Sequence, residues 1–165
     1  MNVFEENPPA TEITDSSNTG YAALRELSIA CLLTRADRRE IEEHIRRADK
    51  IGTGVHVVLA RLLSKKLFYA SEVQDDTPCP STATGGSRVT YAIDDLPPHS
   101  GRLVHRNENA YGQSSIHVAT LLGATLIGMT AGAQAPFLQA SGSFRKVRLL
   151  SVDYQAQARS HATQE

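Results

Sequence analysis

The side chains that could do chemistry gather between residues 35 and 66, where nine basic residues stand against five acidic ones, a local charge of +4. Within this segment "RRADKIGTGVH" sets Asp49 among Arg46, Arg47 and Lys50. Lysine and arginine neutralise phosphates without reading sequence. Arg38, Arg39, Arg46, Arg47, Lys50, Arg61, Lys65 and Lys66 are therefore candidates for contact with an acidic partner or for non-specific contact with nucleic acid, with Asp49 counted among the partner-binding positions of the hairpin. The competing reading is a solvated helix face, with some of these cations paired to Asp37, Glu42 and Glu43 on the same helix. No base-reading helix is visible, and aromatic residues at 5% are too few for a stacking platform.

Other chemistries fail on spacing. Of the six histidines, His44 and His56 flank the same turn and could approach each other, while His105 and His117 could be neighbours on a sheet. None has Asp or Cys at ligand spacing, so no metal site is expected. Cys31 and Cys79 lie far apart in no C-x-x-C setting, which points to a cytoplasmic protein with incidental thiols. Gly123, Gly128 and Gly132 have the wrong spacing for a dinucleotide loop, and no Lys-Ser or Lys-Thr follows them. No catalytic, cofactor or metal residue is expected, and the chain is not read as an enzyme.

The elements that must position the cations are legible from periodicity. Residues 1–27 begin with an acidic, Pro-containing stretch that is not a basic-then-apolar leader, and they are expected to be a disordered tail. Residues 28–73 are expected to form a helical hairpin. Asp37, with Glu40 three residues on, caps a first helix in which Ile41, Ile45 and Ala48 make the apolar stripe. Gly52 and Gly54 break it, and Thr53 caps a second helix carrying Val55, Val58, Leu59, Leu62 and Leu63 on one face. Each arm has about four turns, roughly 20 Å at 1.5 Å per residue.

Residues 74–86 read as a linker, and beyond them the period changes to 2. "SRVTYAI", "GRLVH", "SSIHVA", "QAPFLQ" and "FRKVRLLSV" are expected strands within a domain spanning 87–155, the last two joined by "ASGS"; residues 156–165 are expected to fray. Between them lies "VATLLGATLIGMTAGAQAPFL", in a region without charge from Asn109 to Phe144. Its dense apolar part is too short to span a membrane. It fits a short buried helix, Leu121 to Ile127, ended by Gly128 in the left-handed conformation and turned by Gly132, with Gly123 allowing close packing.

The segment "SSIHVATLLGATLIGMTAGAQAPFLQASGSFRKVRLLSVDY" resembles the C-terminal domain of bacterial transcript-cleavage factors, the Gre family. It is closer still to their short relatives, the regulators of nucleoside diphosphate kinase (Rnk). Gly123, Ala124, Leu126, Gly128 and Gly132 match the Gly-Ala-x-Leu-x-Gly and x-x-Gly frame, and "RADRREIEEHI" resembles the start of the short family's hairpin. The resemblance covers about residues 33–154. Leu121 and Arg106 stand where the family has Pro, as in a divergent member.

This resemblance implies an α+β protein: a short antiparallel helical hairpin (coiled coil) followed by an FKBP-like antiparallel β-sheet domain with one short helix. It implies a monomer that docks on RNA polymerase near its secondary channel, the hairpin pointing inward. In the cleavage factors, paired carboxylates at the hairpin tip hold Mg²⁺, because a hard cation must bridge carboxylate and phosphate. Asp49 alone, beside Arg46, Arg47 and Lys50, does not match that pair, so polymerase binding without cleavage stimulation is expected. A peptidyl-prolyl isomerase is the alternative by fold analogy, and a stand-alone protein-interaction module is another.

Overall fold

The structure, a computed structural model, describes residues 28–106 and 114–153 together with Ala22 and Arg25. The tails expected at 1–27 and 156–165 fall outside the described residues, apart from Ala22 and Arg25. After a helical turn at Ser28–Ala30, the elements are β1 (Leu32–Thr34), α1 (Arg35–Ile51), α2 (Val55–Tyr69), β2 (Ser71–Val73), β3 (Arg88–Ile93), β4 (His99–Val104), β5 (Ser115–His117), α3 (Leu121–Leu126), β6 (Gln134–Leu138) and β7 (Phe144–Asp153).

The first helix begins one turn earlier than its capping signal suggested. Thr34, not Asp37, is the N-cap, and its hydroxyl accepts from the Asp37 amide at 3.1 Å. The helix ends at Gly52, whose φ of 67° is left-handed and whose amide returns to Ala48 O at 2.9 Å. Thr53 caps nothing: Gly54 holds the N-cap position of α2, without a side-chain bond. Three residues thus turn the chain between two helices that pack side by side.

That pair of helices is the crossover of a small parallel sheet. Leu32, Leu33 and Thr34 pair with Ser71, Glu72 and Val73, so β1 feeds the first helix and β2 leaves the second in the same direction. Parallel strands require a long connection, and here the helical pair supplies it.

The second sheet has the order β5-β4-β3-β7-β6. It is antiparallel except at one edge, where β5 runs parallel to β4 and pairs Leu103 with Ile116. The wholly antiparallel sheet expected from the resemblance is corrected there, by the parallel register of Arg102, Leu103 and Val104 with Ser115, Ile116 and His117. The hairpin β6–β7 closes as read from "ASGS".

One core joins the two parts. Leu33, Ile41 and Leu63 from the first sheet and the helices pack in the same cluster as Val89, Leu103, Leu126, Val147 and Leu149. Cys79, Thr82, Ala83 and Thr84, in the stretch read as a linker, are buried, and Ala83 exchanges backbone bonds with Gly128 and Met129. No helix among the described residues is long and apolar enough to cross a membrane.

Candidate functional site

The two helices differ sharply along their length. At the tip, Arg46, Asp49 and Lys50 are exposed, as are Ile51 (53%) and Val55 (43%). Arg46 pairs with Glu43 at 2.9 Å, and Arg47 reaches the same carboxylate at 3.5 Å. Such surface pairs contribute little, so the tip keeps its positive character. Asp49 has no second carboxylate within residues 46–56. Arg39 and Arg61 are exposed farther along, and Lys65 is half-buried.

At the root, the polar groups are consumed by the fold. Arg38 donates to Leu67 O at 2.9 Å and Ala70 O at 3.5 Å, the last carbonyls of α2, and meets Glu72 at 3.3 Å. Lys66, read from sequence as a surface cation, is 1% exposed. Its Nζ donates to Ala124 O, Thr125 O and Ile127 O at 2.7, 2.6 and 2.7 Å. Burial pulls the Lys66 pKa down, but three short acceptors match the three donors of an ammonium and oppose that pull. The cation also faces the carbonyl end of α3, where positive charge is favoured.

The glycine frame explains why α3 sits where Lys66 can reach it. A Cβ on Gly123 would lie 1.9 Å from His117 O. Gly128, at φ 82°, accepts from Leu32 N at 3.0 Å and donates to Ala83 O at 2.7 Å, tying the helix end to β1 and to residue 83. Gly132, at φ 89°, donates to Leu149 O. Leu126 is fully buried in the common core.

A second buried connection runs from the first helix to the end of β4. Asp37 accepts the Gly85 amide at 3.2 Å on both carboxylate oxygens and lies 2.8 Å from His105 Nε2. His105 Nδ1 is 3.1 Å from His44 Nε2. A carboxylate only accepts, so His105 donates from Nε2 to Asp37, and its Nδ1 forms the second hydrogen bond with His44 Nε2. Burial, followed by the neighbouring His105 and Arg47 charges, lowers the His44 pKa from 6.5 to about 4. His44 meets His105 and not His56, and Asp37 serves this relay and not a cation on its own helix.

Around the relay opens a cleft of about 480 Å³ between α1, α2 and the ends of β4 and β5. His44, Arg47, His56, His105, Arg106 and His117 line it. Sequence spacing brought Arg47 to the hairpin but did not bring four histidines together. No cluster of three or more metal-binding side chains is formed among the described residues. Tyr91, Phe137 and Phe144 pack partly buried against the core and do not line this cleft.

No protein-family model matches the chain, and no curated protein matches it in sequence. The comparison with solved structures does find similar chains. The prokaryotic transcription elongation factor GreA/GreB from Nitrosomonas europaea aligns with a TM-score of 0.54 at 18% identity, over 75% of this chain and 99% of that one. Gfh1 of Thermus aquaticus aligns at a TM-score of 0.38 and 15% identity, over 83% of this chain and 96% of that one. GreA factor homolog 1 of Thermus thermophilus aligns at 0.36 and 15%, over 75% and 99%. The likeness to the Nitrosomonas protein defines a Gre-type fold, and at this identity it speaks for the fold alone.

Proposed function

We propose that the chain is a non-enzymatic transcription regulator that docks on RNA polymerase near its secondary channel and does not stimulate transcript cleavage. The observation that carries this reading is the helical tip: Arg46, Arg47 and Lys50 surround a single carboxylate, Asp49, with Ile51 and Val55 exposed beside them. An acidic surface on a partner can be met by such a tip, with the two apolar side chains adding contact area. A hydrolytic Mg²⁺ site needs neighbouring carboxylates, and residues 46–56 offer only one.

On this reading residues 28–73 are the docking hairpin, 74–86 the joining segment, and 87–155 an FKBP-like unit of the kind found in the short Rnk-type relatives. The protein acts as a cytoplasmic monomer, and any contact with nucleic acid is non-specific. Of the candidate cations, Arg46, Arg47, Lys50, Arg39 and Arg61 are the exposed contact residues, with half-buried Lys65 beside them; Arg38 donates to Leu67 O and Ala70 O at the end of α2.

Co-purification of tagged protein with core RNA polymerase at moderate salt tests this. The native protein is expected to be retained, and a variant with Arg46, Arg47 and Lys50 changed to Glu to be lost. Retention of both moves the docking surface to the sheet. Retention of neither removes polymerase as the partner. Restart of backtracked complexes by RNA cutting would overturn the non-cleaving assignment.

A further inference from the structure

We infer that the cleft between the helical pair and the sheet is a binding site for a small nucleoside phosphate. Six of its lining residues carry an imidazole or a guanidinium and none is acidic. The lining therefore offers donors and positive charge to an anion and no carboxylate to repel it. The nearby acids are already turned to other partners. Asp37 lies behind His105, accepting from it and from Gly85. Glu43 holds Arg46 at 2.9 Å and Arg47 only at 3.5 Å, and Glu40 holds Arg106 at 3.0 Å. Arg47 and Arg106 have side chains 59% and 74% exposed, so these ion pairs are weak and exchangeable.

Two guanidiniums with neighbouring imidazole donors suit phosphate, whose oxygens accept forked, charge-assisted bonds. The rest of the cleft suits a flat apolar body. His44 and His105 lie edge to edge and nearly coplanar, their centroids 5.3 Å apart and planes at 22°, and the hydrogen bonds on to Asp37 hold their orientation. Ile51 and Leu59 add apolar wall from the two helices. A volume of about 480 Å³ lies within the range of pockets that enclose small ligands. A base against Ile51 and Leu59 and phosphates against Arg47, Arg106 and His117 would use both kinds of lining side chain.

The site stands without polymerase and is tested without it. Isothermal titration of the full chain at low salt would use GDP, ADP and inorganic pyrophosphate as probes. Saturable binding of GDP or ADP is expected, weakened about tenfold or more by Arg47→Ala with Arg106→Ala, as loss of charge-assisted bonds implies. His117→Ala should weaken it in the same direction, whereas Arg148→Ala, exposed on β7 and outside the cleft, should not. Circular dichroism establishes that each variant is folded. In spectra of the native protein, imidazole resonances of His56 and His117 should shift on titration while those of His99 stay fixed.

Absence of binding at millimolar nucleotide would overturn the site. So would affinity insensitive to the cleft variants, or lost equally with Arg148→Ala. Pyrophosphate binding as tightly as GDP and ADP would overturn the nucleoside assignment. Binding of an RNA oligomer but of no mononucleotide would overturn the small-ligand assignment.

Discussion

The root and the tip of the helical pair are built from the same two segments with similar charge, yet they use it in opposite ways. At the root, Arg38 and Lys66 bury their charge against backbone carbonyls at the ends of α2 and α3, and Asp37 is enclosed by Gly85 and His105. At the tip, Arg46, Lys50 and Asp49 stay in water. A cation that ends a helix costs desolvation and repays it only when every donor is used. A cation in water costs nothing to keep and remains available to a partner. Density of basic residues along the sequence therefore does not mark the contact surface; burial divides the cluster into a structural part and an exposed part.

The largest expected effect breaks the root. Lys66→Met keeps much of the apolar stem but leaves three buried carbonyls of the α3 end without donors. A loss of about 2–4 kcal/mol is expected from the unsatisfied acceptors together with the removed charge, read by urea denaturation. A loss under about 1 kcal/mol would mean that the ammonium is dispensable and the contrast with the tip is overstated. Next comes Gly85→Ala. Its Cβ would sit 2.6 Å from Asp37 Oδ1 and 2.8 Å from His105 Cδ2, so the relay must shift. About 1–3 kcal/mol is expected, together with displaced imidazole resonances of His44 and His105.

A pH dependence sharpens the same contrast. The folded His44 pKa, about 4, lies below its ordinary 6.5. Between these values the unfolded chain binds a proton that the folded chain refuses, so stability is full above about pH 6.5 and falls toward pH 4. The groups facing His44 are His105, with Asp37 behind it, and Arg47, Glu40 and Glu43. At 1.36 kcal/mol per unit, the loss attributable to His44 is at most about 3 kcal/mol. Denaturation at pH 7 and pH 5 should show a smaller difference for His44→Gln than for the native chain. Equal differences would place the acid sensitivity elsewhere.

Why the tip was legible and the root was not follows from the periods involved. The helices, their Gly52 turn and the left-handed glycines Gly128 and Gly132 declare themselves through local rules. The spacing of Gly123 to Gly132 also carried the fold resemblance, because each glycine answers a fixed clash or turn. The parallel pair of β1 and β2 was invisible, since three-residue strands carry no alternation and their pairing is set by the helices between them. Lys66 does carry a signal in the sequence: Leu59, Leu62, Leu63 and Lys66 share one helix face, and all four are buried. Asp37, Ile41, His44 and Ala48 likewise form one buried stripe. A polar residue in phase with an apolar stripe is the mark of a buried connection, and residue type alone had placed both outside.

The smallest expected effect on stability is at the tip, and it is the most informative for function. Changing Arg46, Arg47 and Lys50 to Glu removes two weak pairs with Glu43 and sets like charges near one another, but buries nothing and empties no cavity. Surface changes of this kind cost about 1 kcal/mol or less. The variant should therefore unfold close to the native midpoint while losing polymerase retention. Asp49→Ala should leave both almost unchanged, because a lone exposed carboxylate among cations neither supports the fold nor attracts an acidic partner. If Asp49→Ala abolished retention as fully as the triple reversal, the partner surface would carry its own cations, and the tip would be read by its shape and single acid instead of its positive charge.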